Sequence, residues 1–263
     1  SWIRTAVSPG FPTFVLAKPE TDKQPDMKKI LLLSLALFCA AALPAQENRD
    51  WAQYGRYERQ NAELAGQSVE AVFMGNSITD NWASIDSEFF TRNNFVGRGI
   101  SGQTTLEMLA RFRRDVIDLH PRAVVILAGI NDIAQNQGPI SLENTFGNIV
   151  SMCELAEHNG IRVVLCSVLP CDRFSWRPEI APAEKVRALN ALLREYAARQ
   201  GIVYVDYHSA FDNGQGGLDA HFSEDGCHPT LYGYTLMEPM VVKGINKALR
   251  TRKERYTTPT PAL

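Results

Sequence analysis

The sequence has little net charge, few cysteines and no apolar run long enough to cross a membrane. Its 263 residues carry a formal net charge of −2 and a pI near 6.2, which argues against nucleic acid as the main partner. The 5 cysteines fit no paired C-x-x-C pattern, so a structural zinc site of that type is excluded. No repeat, linker or low-complexity segment divides the chain, and we expect one domain. None of these features points to a metal or an organic cofactor.

The N-terminal region has the three parts of a secretory signal. A basic start at Met27-Lys28-Lys29 is followed by an apolar run over 30–43 and by Pro44-Ala45-Gln46. The run is shorter than the ~20 residues that a spanning helix needs. We therefore predict a signal peptide over 27–45, cleavage after Ala45, and export to the periplasm or beyond a bacterial cell.

The segments around this signal carry further expectations. A lipoprotein anchor would use Cys39, but Phe38 before it is bulky where such sites take a small residue. We interpret residues 1–26 as upstream sequence or an artefact with no role in the fold. The mature domain is predicted over 46–263, with its core at about 68–250, and we expect no transmembrane segment in it.

Five short apolar runs alternate with amphipathic segments. Such Val/Ile/Leu-rich runs are typical of parallel strands buried on both faces, and they lie at 69–74, 94–96, 123–127, 162–169 and 202–206. Helical periodicity covers 104–119, 141–158, 182–200 and 231–252. This alternation predicts a doubly wound α/β domain, a three-layer α/β/α sandwich around a five-stranded parallel sheet.

A serine, an aspartate and a histidine have the order of a hydrolase triad. Ser77 ends the first apolar run, and Asp225 and His228 lie three residues apart in Asp-Gly-Cys-His-Pro. We expect Ser77 to be a nucleophile, His228 its general base and Asp225 the acid that orients the base. Alone, Ser77 would more simply be interpreted as a helix N-cap, which is common at such junctions. The context Gly-Asn-Ser-Ile-Thr is not a G-x-S-x-G elbow, which counts against an α/β-hydrolase.

Two further positions offer donors for a developing oxyanion. Gly102, in Gly-Ile-Ser-Gly-Gln-Thr, offers a backbone N–H, although a glycine there also suits an ordinary strand-to-helix turn. Asn131, in Gly-Ile-Asn-Asp, offers a side-chain amide, although it also suits a cap of the next helix, a role open to Asp132 as well. In a doubly wound sheet these positions share the rim at which ligands bind.

These four blocks, in this order, resemble the SGNH, or GDSL-type, serine esterases over about residues 68–245. The resemblance implies a flavodoxin-like α/β/α fold and a triad of Ser77, Asp225 and His228. It also implies an oxyanion hole formed by the N–H groups of Ser77 and Gly102 and the amide of Asn131. One departure is Asn76, where many members have Asp. No cofactor is implied.

The substrate is less well defined by the sequence. The chain is most similar to single-domain acetylhydrolases of the family, which favours short acyl esters, above all O-acetyl groups on carbohydrates. Trp176 and Arg177 follow the fourth strand, where Trp176 is expected to stack on a sugar ring and Arg177 to contact an acidic sugar. The alternative is that Phe174 and Trp176 pack the loop down.

Other functions remain open at this point. A lysophospholipase or thioesterase would need a longer apolar groove, which the sequence does not exclude. A non-catalytic glycan-binding protein would be favoured by the loss of a triad or oxyanion residue, and none is lost.

Two cysteines lie in loops beside the expected site. If the chain is exported, Cys171 and Cys227 can form a disulfide that braces the His228 loop. Cys153 and Cys166 are expected to be small buried residues. The partner class is a small-molecule or glycan ester, and the oligomeric state is not indicated by the sequence.

Overall fold

Five parallel strands form one sheet in residues 50–250, the part of the chain that the computed structural model describes. The strands are β1 (Ala71–Gly75), β2 (Phe95–Gly99), β3 (Ala123–Leu127), β4 (Arg162–Cys166) and β5 (Val203–Val205). Their order is β2-β1-β3-β4-β5, which is the flavodoxin-like order of a doubly wound sheet. The predicted fold class is thereby confirmed. The predicted signal peptide and residues 1–26 lie outside the described residues.

Helices connect the strands and cover both faces of the sheet. They are α1 (Glu58–Glu63), α2 (Ser77–Ile85), α3 (Ser87–Arg92), α4 (Thr105–Asp115), α5 (Ile130–Ile133), α6 (Leu142–His158), α7 (Ala183–Gln200), α8 (Tyr207–Phe211) and α9 (Leu231–Arg250). α2, α3 and α9 pack on one face, and α4, α6 and α7 on the other. This arrangement is the predicted three-layer sandwich.

The sheet is buried because its residues are apolar on both faces. β1 and β3 are buried at every position, as expected for central parallel strands. Beneath α2 and α3, an aromatic cluster fills the space between helices and sheet, with Trp82 stacked on Phe89 at 5.3 Å and on Tyr234 at 5.3 Å. Tyr234 also donates a hydrogen bond to the Ile78 carbonyl. The final helix is thereby joined to the helix that begins at Ser77.

Two predicted elements end earlier than their apolar pattern suggested. The strand predicted over 162–169 ends at Cys166, because the backbone of Val168 is hydrogen-bonded to a side chain and not to a neighbouring strand. Its N–H donates to Asn190 Oδ1 at 2.8 Å and its carbonyl accepts from Asn190 Nδ2 at 2.9 Å. The helix predicted over 104–119 is divided, since α4 ends at Asp115 and a 3₁₀ turn over Ile117–Leu119 follows.

The carboxyl ends of β1, β2 and β3 are level with one another. Gly75 is paired with Gly99 of β2 and with Leu127 of β3. After β2 is added on one side of β1, the chain crosses to the other side and adds β3. Ligands bind at such a topological switch point. Gly99 permits a close approach here, because a Cβ at this position would lie 2.2 Å from the Asp80 nitrogen.

Residues before the predicted core also pack on this end of the sheet. Ala52 is fully buried, and Tyr57 donates a hydrogen bond to the Gly99 carbonyl. Residues 50–63 are therefore part of the packed region, N-terminal to the predicted boundary at 68.

Within residues 50–250, no helix is long and apolar enough to cross a membrane. The same residues contain no group of three or more His, Cys, Asp or Glu side chains placed to hold a metal ion.

Candidate active site

Ser77 is the first residue of α2, directly after the end of β1. The N-cap of this helix is Asn76, whose side chain accepts a hydrogen bond from the Ile78 N–H at 3.0 Å. The capping role that Ser77 could have filled is therefore taken by its neighbour. This leaves the Ser77 hydroxyl free to bond elsewhere, and it explains what Asn76 does at a position where Asp is common.

The Ser77 hydroxyl contacts the imidazole of His228. Ser77 Oγ lies 2.8 Å from His228 Nε2, and His228 Nδ1 lies 2.6 Å from Asp225 Oδ2. An ionised carboxylate can only accept hydrogen bonds, so Nδ1 carries a proton and the Nε2 of a neutral ring is an acceptor. Nε2 is then placed to take the proton of the serine hydroxyl. Chemically, such an arrangement can activate a serine for attack on a carbonyl carbon.

Asp225 is held by its own loop. Its Oδ1 accepts hydrogen bonds from the backbone N–H groups of Cys227 at 2.9 Å and His228 at 2.8 Å. Ser223 adds its hydroxyl to Oδ1 and accepts from the Gly226 N–H. The carboxylate and the imidazole are therefore fixed relative to each other before any substrate binds.

The charge state of Asp225 follows from these bonds. Partial burial raises the pKa of this carboxyl, but hydrogen bonds from the His228 N–H and imidazole and from the Cys227 N–H outweigh it and lower the pKa to about 2. The group is an anion at neutral pH and suited to stabilise a protonated imidazole.

Asn131, in helix α5, contacts the residue that follows Gly102. The Asn131 Nδ2 donates to the carbonyl of Gln103, the residue after Gly102, at 2.9 Å. Gly102 adopts a φ of +82°, and apart from its own chain neighbours no heavy atom lies within 4 Å of where its Cβ would be. Glycine is therefore favoured here by the left-handed backbone and not by lack of space.

Neither residue of Asn131-Asp132 caps the helix that follows. The N-cap of α5 is Gly129, and Asn131 lies within the helix, buried. Asp132 instead accepts from the N–H and hydroxyl of Thr105 at 2.9 and 2.6 Å, at the start of α4. The carboxylate thus ties α5 to α4, and burial raises its pKa to about 6.

The match to known proteins decides the family. Residues 73–236 match the GDSL-like Lipase/Acylhydrolase family, which is more than half of the chain. The chain belongs to this family. It is accordingly a carboxylic ester hydrolase that acts on small-molecule esters.

Several relatives of this acylhydrolase are similar over most of its length. A solved structure from Bacteroides fragilis is 47% identical, with a TM-score of 0.74 over 77% of this chain and 100% of that one. A GDSL-like lipase from Bacteroides thetaiotaomicron is 46% identical, with a TM-score of 0.73 over 75% of this chain and 98% of that one. Esterase TesA from Pseudomonas aeruginosa is 26% identical over 175 residues, 64% of this chain and 79% of its own.

Trp176 lies against His228 in this acylhydrolase. The centroid of its ring is 6.0 Å from that of the His228 ring and 4.9 Å from that of Phe174. Phe174 is buried, whereas Trp176 is 39% exposed. Phe174 is therefore packed down as the alternative expects, whereas Trp176 packs on it and keeps an exposed aromatic surface beside His228. Arg177, in the same loop, has a partly exposed side chain, and its guanidinium lies 3.9 Å from the Glu179 carboxylate.

Asn136 joins Trp176 to the loop of Gly102. Its Oδ1 accepts from the Trp176 indole N–H at 3.3 Å, and its Nδ2 donates to the Gly102 carbonyl at 3.1 Å. Sequence reasoning missed this residue because it belongs to none of the four blocks. The signal that could have indicated it is its position, as a polar residue in the loop that follows the Asn131 block.

The predicted disulfide is not present in this acylhydrolase. Cys171 and Cys227 are both free and buried, and their thiols are hydrogen-bonded to each other. This bond, together with burial, raises the pKa of the Cys227 thiol well above its usual range. The predicted proximity of the two loops is therefore correct, but two thiols packed together provide the contact.

Proposed function

We propose that this acylhydrolase removes short acyl groups, chiefly acetyl, from carbohydrate esters through an acyl-enzyme on Ser77. Ser77 Oγ attacks the ester carbonyl while His228 Nε2 takes its proton. The C–O bond to the alcohol then breaks, and the alcohol leaves with the proton from His228. A water molecule gives its proton to His228 and attacks the acyl carbon, which releases the acid and restores Ser77.

The negative charge that develops on the carbonyl oxygen needs donors. We assign this role to the N–H groups of Ser77 and Gly102 and to the Asn131 amide, since Ser77 begins α2 and the other two meet at Gln103. One amide hydrogen of Asn131 is bonded to the Gln103 carbonyl, and an amide has a second to offer. Removing one such donor typically costs ~10²–10³ in rate.

The observation that carries the substrate proposal is the position of Trp176. Its ring stands beside His228, and its indole N–H is bonded to Asn136, which is bonded in turn to the Gly102 loop. A fixed aromatic wall at this position limits the room for a long acyl chain and offers a face on which a sugar ring can stack. Arg177, on the same loop, is the group proposed to contact an acidic sugar.

The proposed site of action is outside the cytoplasm. Support comes from the signal-like pattern over 27–45, which the described residues do not include. A carbohydrate O-acetylesterase exported in this way would meet glycans directly. Mass spectrometry of the protein recovered from the periplasm and medium, with an N-terminus at Gln46, tests this part separately.

Release of p-nitrophenol from acetyl, butyryl and octanoyl esters by the mature protein tests the acyl preference. Ser77→Ala is the control for the mechanism. We expect the acetyl ester to have the highest kcat/KM and the variant to lose at least 10³-fold. Equal rates for the two proteins would overturn the mechanism. A preference for the octanoyl ester would instead support the alternative of a lysophospholipase or thioesterase.

Acetylated xylan, pectin and sialic acid then separate carbohydrate substrates from one another. Acetate release from at least one of them, at a kcat/KM above that of the p-nitrophenyl ester, is expected. Failure to release acetate from any glycan, with the p-nitrophenyl ester still cleaved, would restrict the proposal to small esters. Binding without release would indicate the glycan-binding alternative.

A further inference from the structure

A buried glutamine adjoins two of the proposed oxyanion donors, Gly102 and Asn131. Gln103 is 1% exposed and directly follows Gly102. Its backbone carbonyl accepts from Asn131 Nδ2 at 2.9 Å. Its side-chain Oε1 accepts from Arg111 Nε at 2.6 Å, and its Nε2 donates to the Ala52 carbonyl at 2.9 Å. Both ends of the amide are thus bonded to fixed parts of the fold.

Arg111 connects this glutamine to the ends of the two strands beside it. The side chain is fully buried, and its Nη2 donates to the carbonyls of Gly75 at 3.1 Å and Arg98 at 2.9 Å. Its Nη1 is paired with Asp115 at 2.9 Å. Gly75 lies two residues before Ser77, so one guanidinium contacts the strand that leads to the serine and the side chain that follows Gly102.

Stability alone is a weak reason for this network. Taking an arginine and an aspartate out of water costs several kcal/mol per ion, and apolar residues of similar volume often serve the core as well. What a fully bonded buried network supplies is a single geometry. A fixed geometry matters here because Gly102, with its φ of +82°, is a residue of high conformational freedom.

We infer that Gln103, anchored by Arg111, is a positioning residue for the oxyanion hole. Its side-chain bonds fix the peptide that follows Gly102, and its carbonyl orients the Asn131 amide so that the second amide hydrogen faces the reacting carbonyl. Gln103 itself touches no substrate in this account. The inference rests on the proposed role of Gly102 and Asn131 as donors.

Gln103→Met tests this inference, since methionine has nearly the same length and none of the hydrogen bonds. We expect kcat for p-nitrophenyl acetate to fall about 10–100-fold with KM within twofold, because donors displaced by a fraction of an ångström act mainly on the transition state. Inhibition by a phenylboronic acid, which forms a tetrahedral adduct with the serine, should weaken by the same factor. Arg111→Lys keeps the charge but loses the several N–H donors of the guanidinium. It should have the same effects on kcat, KM and boronate inhibition.

The matched control is Asn190→Leu. Asn190 is also buried and also bonded at both ends, to the backbone of Val168. We expect it to lower the melting temperature as Gln103→Met does while kcat stays within twofold, which separates positioning from general destabilisation.

The outcomes are distinct. Wild-type kcat and boronate affinity in either folded variant, Gln103→Met or Arg111→Lys, would overturn the inference, and so would an equal loss of kcat in Asn190→Leu. Equal rates for wild type and Ser77→Ala would instead overturn the proposed function itself.

Discussion

Ser77 Oγ and His228 Nε2 lie 2.8 Å apart although 151 positions separate the two residues in the chain. Two features bring them together. Ser77 begins α2 at the carboxyl end of β1, and the loop of His228 leads into α9, which packs on the same face of the sheet. The hydrogen bond from Tyr234 to the Ile78 carbonyl at 2.8 Å joins the two helices next to the pair.

Asp225→Asn should lower kcat by about 10³–10⁴, because an amide that donates to Nδ1 would stabilise the tautomer whose Nε2 cannot accept the serine proton. Since the pKa of Asp225 is lowered to about 2, the carboxylate is ionised throughout pH 4–9. Protonation of Asp225 should therefore not contribute to the loss at any pH in that range.

Asp219→Asn is the matched control for that experiment. Asp219 also contacts a histidine, His221, at 2.7 Å, but this pair is exposed. We expect kcat within twofold of wild type. A loss in Asp219→Asn as large as in Asp225→Asn would contradict the assignment of Asp225 as the orienting acid.

Trp176→Ala should change acyl preference. Removing the wall beside His228 is expected to raise the ratio of butyryl to acetyl kcat/KM about tenfold, since one or two methylenes in an apolar site are worth ~1–3 kcal/mol. Trp176→Phe keeps the aromatic face and loses only the bond to Asn136, so its ratio should stay near wild type. An unchanged ratio in Trp176→Ala would show that this ring does not limit the acyl group.

Asp132 should make stability depend on pH. Burial raises its pKa from 3.8 to about 6, so the folded state binds the proton more tightly than the unfolded state. This contribution is fully present below pH 3.8 and is lost as the pH rises through about 6. Urea unfolding of wild type and Asp132→Asn should show wild type losing stability relative to the variant from pH 4 to pH 6. The raised pKa would be contradicted if the free energy of unfolding of wild type minus that of Asp132→Asn stayed constant or increased from pH 4 to pH 6.

Cys171 and Cys227 should resist thiol reagents in the folded protein. Both are buried, and the pKa of the Cys227 thiol is well above its usual range, so little thiolate is available to react. We expect modification at neutral pH only after denaturation. Peptide mapping of the unreduced protein is the second measurement. A disulfide-linked pair of peptides containing Cys171 and Cys227 would contradict this prediction.

The strands, and the residues proposed as the triad, could be recognised in the sequence because their signals are local. β1 and β3 are runs of apolar residues buried on both faces, and no helix pattern competes with them. Ser77 and His228 belong to short blocks whose residue types carry the chemistry, and parallel topology places Ser77, Gly102 and Asn131 on one rim without any contact being known.

The rest depends on contacts that no local pattern records. Helices α1, α3, α5 and α8 are too short to show a helical period. Arg111 reads as an ordinary cation of an amphipathic helix, and only the fold shows that it bonds to Gly75, Arg98 and Gln103. Asn136 likewise joins Gly102 to Trp176 across loops. The expected disulfide failed for a related reason, because spacing indicates which loops meet but not whether two thiols are oxidised.

The most direct test of the central claim is covalent labelling of the serine by an aryl alkylphosphonate ester, read by peptide mapping. The account predicts one adduct, on Ser77, with labelling lost in Ser77→Ala and slowed at least 10²-fold in His228→Ala. An adduct on another residue, or equal labelling rates for wild type and His228→Ala, would contradict it.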